Sequence, residues 1–318
     1  MNIAIRNFKP EDVAQISRLN QKYHQAYPDC PVVQAELYLS PEFEEGKNVF
    51  CAFDEAGVLV GYAPVYPILA AEGSGYSNVC WIEIKDDVDF PDKRLLRDRL
   101  FDQMLARAVE IKNSAPVKET KLCCCHYSTE AESIQYLLSK GFECCDSIYN
   151  MRRDLSEPII EPPVPEGLEM IEWKLETREE RTKYIHAYNT VFPEKPWNVD
   201  GLEHFMKSDM WVGGTTITAF HGADIAGSIM LYWKTDGGTE PGKKEGFTEN
   251  IFVLPRWRRK GVASCLIGKG LAYLAQRGAQ TALLEVLANN RKALEIYQRL
   301  GYKIVKEQEV LEYSLQGV

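Results

Sequence analysis

One order of elements runs through this 318-residue chain twice, and that repeat constrains the fold more than any other feature. An alternating segment at residues 3–6 is matched by 168–173, and each leads into a polar helix that ends near Tyr27-Pro28 or Phe192-Pro193. Paired strand patterns follow, 49–53 with 58–65 and 216–220 with 225–232, and Gly61 and Gly227 hold the same place in the two pairs. A third apolar strand, 79–84 or 249–253, runs on to Pro91 or Pro255 and a long helix. Each copy closes on a strand, a short helix and Lys140-Gly141-Phe142 or Leu300-Gly301-Tyr302. Between the copies, residues 156–167 carry four prolines and no helix or strand period, the pattern of a semi-rigid linker. The reading is of two α/β domains, 1–155 and 168–318, joined by residues 156–167.

Charge and apolar patterning narrow the functions open to such a chain. Residues 1–160 hold 17 Lys+Arg against 25 Asp+Glu, and the remainder 20 against 21. An acidic first half and a near-neutral second half lack the clustered cations that neutralise phosphates, so nucleic acid is not an expected partner. No run approaches the roughly 20 apolar residues of a membrane span, and the start alternates like a strand instead of forming a signal peptide. A cytoplasmic protein with no membrane partner is expected.

Eight of the nine cysteines lie in the first half, among them Cys123-Cys124-Cys125 and Cys144-Cys145. Aligning Gly141 with Gly301 sets Cys123 and Cys124 against Leu283 and Leu284, and Cys144 and Cys145 against Ile304 and Val305. Cysteines that replace aliphatic residues on strands act as small buried hydrophobes. Consecutive ones also point to alternate faces and cannot share one metal. No metal site is expected.

Chemistry concentrates in the second half. Residues 250–264 pass from an apolar strand through Pro255 and the basic turn Arg256-Trp257-Arg258-Arg259-Lys260-Gly261 into a helix with an apolar stripe at Leu266, Ile267, Gly270, Leu271 and Leu274. A helix N-terminus with unpaired N–H groups, a glycine that lets backbone approach and three cations together suit a pyrophosphate. Taken alone, the same turn reads equally as a solvated basic cap. It is followed by a strand at 281–287 and by Asn290 to Tyr297, an N-x-x-A-x-x-x-Y helix, and then Leu300-Gly301-Tyr302.

The R-x-x-G-x-A loop, the N-x-x-A-x-x-x-Y helix and the Leu-Gly-Tyr exit, in this order over residues 258–302, resemble the GNAT (Gcn5-related N-acetyltransferase) superfamily. The resemblance implies two tandem domains, each a mixed, mostly antiparallel sheet flanked by helices and splayed between its fourth and fifth strands, with acetyl-CoA in the gap of the second. On the matching positions Arg258, Arg259, Lys260, Gly261, Val262, Ala263 and Ser264 would cradle the pyrophosphate. Backbone groups of Phe252 and Val253 would pair with the pantetheine arm, and Asn290 would touch it. The implied activity is acetyl transfer from acetyl-CoA to the primary amine of a small molecule or peptide. The alternative is a non-catalytic acyl-CoA-binding or regulatory protein.

An alkyl amine with a pKa near 10 must lose a proton before it attacks, and the departing thiolate gains from a proton donor. Tyr297 is the candidate acid by its place in the motif, or else a core tyrosine. Glu285 and Glu249 are the candidate bases, beside a water relay with no dedicated base. The first half departs from the pattern, because Arg97 and Arg99 stand where Gly261 and Ala263 do, Leu137 stands opposite Tyr297, and Cys125 stands opposite Glu285. It reads as a degenerate copy. The acceptor is expected near residues 192–198, and the oligomeric state is left open.

Overall fold

The structure, a computed structural model, describes residues 3–316 other than 71, 74, 194, 209–210 and 234–243. In the first copy the elements are β1 (Ala4–Asn7), α1 (Val13–Ala26), β2 (Val49–Phe53), β3 (Leu59–Ile68), β4 (Asn78–Ile82), β5 (Lys85–Asp86), α2 (Lys93–Ser114), β6 (Thr120–Tyr127), α3 (Ala131–Ser139) and β7 (Glu143–Asp154). In the second they are β8 (Glu169–Trp173), α4 (Arg178–Val191), α5 (Val199–Phe205), β9 (Val212–His221), β10 (Asp224–Trp233), β11 (Glu245–Val253), α6 (Val262–Gln276), β12 (Thr281–Leu287), α7 (Arg291–Arg299) and β13 (Lys303–Ser314). The repeat read from the sequence is thus present, apart from β5 in the first copy and α5 in the second, which have no counterpart among these elements. Local chemistry sets the ends: α4 starts in a capping box, where Thr177 Oγ1 accepts from the Glu180 N–H and the Glu180 carboxylate accepts from the Thr177 N–H.

The chain forms two compact units, Met1–Ser147 with Glu307–Val318, and Ile148–Lys306. The sheet of the first runs β1-β2-β3-β4-β6-β13, and that of the second runs β8-β9-β10-β11-β12-β7. Neighbours are antiparallel except for one parallel pair in each, β4 with β6 and β11 with β12. Each sheet therefore takes its last strand from the opposite copy. Asp154 to Ile148 of β7 lie against Thr281 to Leu287 of β12, and Gln308 to Ser314 of β13 lie against Tyr127 to Lys121 of β6.

The exchange explains why the compact units do not part at residues 156–167. Residues 148–155 already belong to the second unit, and the proline-rich segment packs there against α6, with Ile160 and Pro162 at Gly268. The cores follow the helices. On one face of the second sheet Leu266, Ile267, Leu271 and Leu274 of α6 join Ile229, Leu231, Ala282, Leu284 and Tyr297. On the other face Tyr184, Ile185 and Tyr188 of α4 meet Met230, Tyr232 and Phe252. No helix among the described residues is long and apolar enough to cross a membrane.

The cysteines divide in a way the alignment did not foresee. Cys123 and Cys124 are buried as expected, but Cys144 and Cys145 are exposed, as are their counterparts Ile304 and Val305. Both exchanged strands start exposed and enter a core further along, at Met151 in β7 and at Val310 and Leu311 in β13.

Candidate active site

The geometry begins with a fork in the second sheet. Parallel pairing of β11 with β12 covers Glu245–Thr281, Gly246–Ala282 and Phe247–Leu283 and goes no further. The cause lies on the other edge of β11. Between the Ser228–Phe252 and Met230–Glu249 pairs, two residues of β11, Asn250 and Ile251, oppose the single Ile229 of β10. Asn250 takes φ 46° to absorb the extra residue, and such a bulge bends the strand that carries it. Gly227 is required beside it, because a Cβ there would lie 2.6 Å from the Phe252 carbonyl oxygen. At the throat of the fork Thr248 Oγ1 donates to the Leu283 carbonyl at 3.2 Å and lies 2.7 Å from the Tyr302 hydroxyl. The splay that the family resemblance implies is therefore present between the fourth and fifth strands of this copy.

The basic loop follows the free end of β11. Pro255–Trp257 form a 3-10 turn, Arg259 takes φ 61° and Gly261 takes φ 81°. Gly261 is the N-cap of α6 and supplies no side-chain bond to the first turn, so the N–H groups there are left for another acceptor. A Cβ on Gly261 would meet no described atom within 4 Å, so the space before the helix is open. Arg258, Arg259 and Lys260 are exposed, Ala263 and Ser264 are half-buried, and Val262 is buried in the core. Arg258 Nε donates to the Val253 carbonyl at 3.1 Å, and Lys260 Nζ stands 4.7 Å from the centre of the Trp257 ring. Buried Trp257 Nε1 has no hydrogen-bond partner among the described residues. Unpaired N–H groups, three cations and an open cradle fit the pyrophosphate of acetyl-CoA.

Both candidate bases sit just past the fork. Glu249 and Glu285 each lie two residues beyond the last rung, Phe247–Leu283, and strand alternation turns both to the α4 face. There they converge on a residue the sequence did not single out. The buried Tyr232 phenol is held protonated first by its burial, then by the charge of Glu249, to which it also hydrogen-bonds, and by the charge of Glu285. Glu285 itself is exposed and accepts from Asn150 Nδ2 of β7. No motif marks Tyr232, and Asn150 belongs to the other copy's sequence.

Tyr297 lies on the opposite face. It is buried with Leu284 and Val286, the neighbours of Glu285, and its ring meets that of Tyr302 edge-on at 5.9 Å. Burial pushes its phenol up to about 12. Asn290 is the N-cap of α7, with Oδ1 accepting from the Ala293 N–H at 3.4 Å. In the 192–198 segment Asn189 clasps the Trp197 backbone at 2.9 Å in both directions, and Trp197 packs on Tyr188 and Phe205. Glu194 of that segment lies outside the described residues.

The first copy keeps a short parallel pairing, Asn78–Thr120 to Trp81–Cys123, but differs at the helix that follows. Arg97 is buried against Asp86 with Nη2 to Oδ1 at 3.1 Å, and donates to the Glu132 carbonyl. Asp92 caps α2, Oδ1 accepting from the Leu95 N–H at 3.1 Å, so a carboxylate covers the helix end that is bare in the second copy. Arg99 is tied to the Ile3 carbonyl, and Asp98 to Lys140 and Tyr136.

Comparison with known proteins agrees with this geometry. Residues 174–302 match the model of the Acetyltransferase (GNAT) family. The chain is 24% identical over 252 residues to a mycothiol acetyltransferase of Salinispora arenicola, covering 77% of this chain and 75% of that protein. Its fold resembles a GCN5-related N-acetyltransferase from Sphaerobacter thermophilus, with TM-score 0.72, 18% identity and coverage of 98% and 95%. It equally resembles a tandem GNAT protein from the clavulanic acid biosynthesis pathway, with TM-score 0.71, 13% identity and 98% coverage of both chains.

Proposed function

We propose, from the match of residues 174–302 to the Acetyltransferase (GNAT) family, that the second half of this chain acetylates the primary amine of a small molecule or peptide at the fork between β11 and β12. The observation that carries the reading is the fork itself, opening from the Phe247–Leu283 rung toward a helix that begins at an uncapped glycine. Acetyl-CoA is the acyl donor, and the loop Arg258 to Ser264 holds its pyrophosphate. The backbone of Phe252 and Val253, past the last β11–β12 rung, and the cap residue Asn290 accompany the arm. The compact unit that carries this site is Ile148–Lys306; residues 1–147 with 307–318 form a degenerate copy with no acyl-CoA site. Nine free cysteines suit a cytoplasmic setting.

In the reaction a carboxylate, Glu285 or Glu249, removes a proton from the amine. The nitrogen attacks the thioester carbonyl, the new C–N bond forms, the C–S bond breaks, and CoA leaves as a thiolate that takes up the proton the attacking nitrogen sheds as it becomes an amide. Tyr297 suits the leaving side in a specific way. A phenol held at about 12 is a weaker acid than a thiol of about 8.5. It therefore stabilises the developing thiolate as a hydrogen-bond donor and stays protonated at neutral pH.

The Salinispora relative is named for mycothiol; for this chain the acceptor is read as a primary amine. The test is CoA thiol release from acetyl-CoA across a panel of amino sugars, diamines, amino acids and peptides with free N-termini. Release with at least one amine supports the reading. Acetyl-CoA binding with no release from any amine favours a non-catalytic acyl-CoA-binding protein.

A further inference from the structure

Glu285 stands on an exposed strand position, and a free glutamate there would sample several rotamers. A general base must instead be aimed at the proton it takes. The structure supplies the aim from β7. Asn150 is the residue directly opposite Glu285 in the antiparallel β12–β7 ladder, and its Nδ2 donates to Glu285 Oε1 at 2.5 Å. One carboxylate oxygen is thereby fixed.

The residue type suits the task. An asparagine amide donates without carrying charge, so it orients a carboxylate without neutralising it. A lysine or arginine at this position would compete with the incoming ammonium, and an aspartate would repel Glu285. The charged groups sharing this face are already placed: Arg152 lies 3.7 Å from Glu245, and Glu249 is bonded by Tyr232.

We propose that Asn150 is a positioning residue for the acetyl transfer, holding Glu285 so that its free oxygen takes the proton from the acceptor amine. The proposal rests on the reading of Glu285 as the base. It also gives the first copy a part in the chemistry, because β7 is written in that copy and its second half completes the sheet of the other. No atom of Asn150 is consumed: the proton passes from nitrogen to Glu285 as the C–N bond forms and the C–S bond breaks.

Two experiments on the full chain decide it. In the unliganded protein, the side-chain amide signals of Asn150 in a proton–nitrogen NMR spectrum should shift on Glu285→Gln. Unchanged signals would mean that the bond does not exist in solution, and the proposal falls. The second is a double-mutant cycle with Asn150→Leu and Glu285→Gln, assayed by CoA release with ethanolamine and with a tetrapeptide bearing a free N-terminus. Asn150→Leu should lower kcat roughly tenfold, the scale of one hydrogen bond to a charged group, with KM for acetyl-CoA unchanged. In the Glu285→Gln background it should cost nothing more. An equal loss in both backgrounds would make Asn150 merely structural. Full activity of Glu285→Gln would remove the base reading itself, a failure distinct from that of Asn150.

Discussion

Arg97 and Asp86 form a buried ion pair, 3.1 Å apart, with Arg97 in the second turn of α2. Burial raises the Asp86 carboxyl, and the Arg97 charge and hydrogen bonds oppose that rise. Each member of the pair therefore depends on the other.

Removing the arginine leaves a buried carboxylate without its partner, a change that typically costs about 3–5 kcal/mol. Arg97→Ala should lower the stability of the chain by an amount of this order in urea melts. It should not create a second acetyl-CoA site, because Asp92 still caps α2. Two sites in calorimetry of the variant would refute the degenerate-copy reading.

Acetyl-CoA should titrate to one site per chain, and Gly261→Trp should abolish it. The substitution fills the open space before α6 and forces a bulky residue into φ 81°, a region that costs a side chain roughly 1–2 kcal/mol. Retained affinity in the variant would place the cofactor elsewhere.

Tyr297→Phe keeps the ring packed on Tyr302 and removes only the hydroxyl. The expected result is a fall in kcat of about 10–100-fold with unchanged acetyl-CoA affinity. A matching loss of affinity and no loss in kcat would assign Tyr297 to packing.

The exchanged strands should make the halves inseparable. A chain of residues 168–318 lacks β7 and leaves the β12 edge unpaired, so it should show no cooperative thermal transition. Leu311 comes from the second copy but is fully buried in the core of the first unit; Leu311→Ala should cost about 3 kcal/mol. A cooperative melt of residues 168–318 with acetyl-CoA binding would show that the exchange is dispensable.

Glu130 gives the first unit a pH dependence. Burial opposes its charge, but hydrogen bonds and charge from His126 and the Tyr23 hydroxyl overcome that and hold its carboxyl at about 2. A carboxyl depressed in the folded state stabilises above its unfolded value and loses that contribution as pH falls through the folded one. The difference in melting temperature between wild type and Glu130→Gln should be largest near neutrality and shrink from about pH 4.5 toward about 2. A difference that does not vary over this window would mean that Glu130 is neutral in the native protein.

Much of the molecule was legible as a string of residues. Strands 49–53 and 281–287 begin and end where their largely apolar runs do, and the α6 stripe at Leu266, Ile267, Leu271 and Leu274 is the buried one. These are local facts: side-chain period and turn chemistry act within a few residues, so any window of sequence reports them. The loop with Gly261 and the helix with Tyr297 were readable for the same reason. The family's signature lies in short contiguous segments.

What tertiary structure alone decided was pairing at a distance. Residues 143–154 and 303–314 are long strands with no turn signal inside them, and nothing in their composition says which sheet edge each will complete. Either edge offers the same backbone donors and acceptors, so partner and register are settled by the packing of the whole unit and not by propensity. That choice sets Asn150 opposite Glu285. The bulge at Asn250 likewise opens the fork and leaves Tyr232 bonded to Glu249. The sequence determined which chemistry this protein carries; the folded sheet determined which residues stand together, because hydrogen-bond registry joins positions that are more than a hundred residues apart.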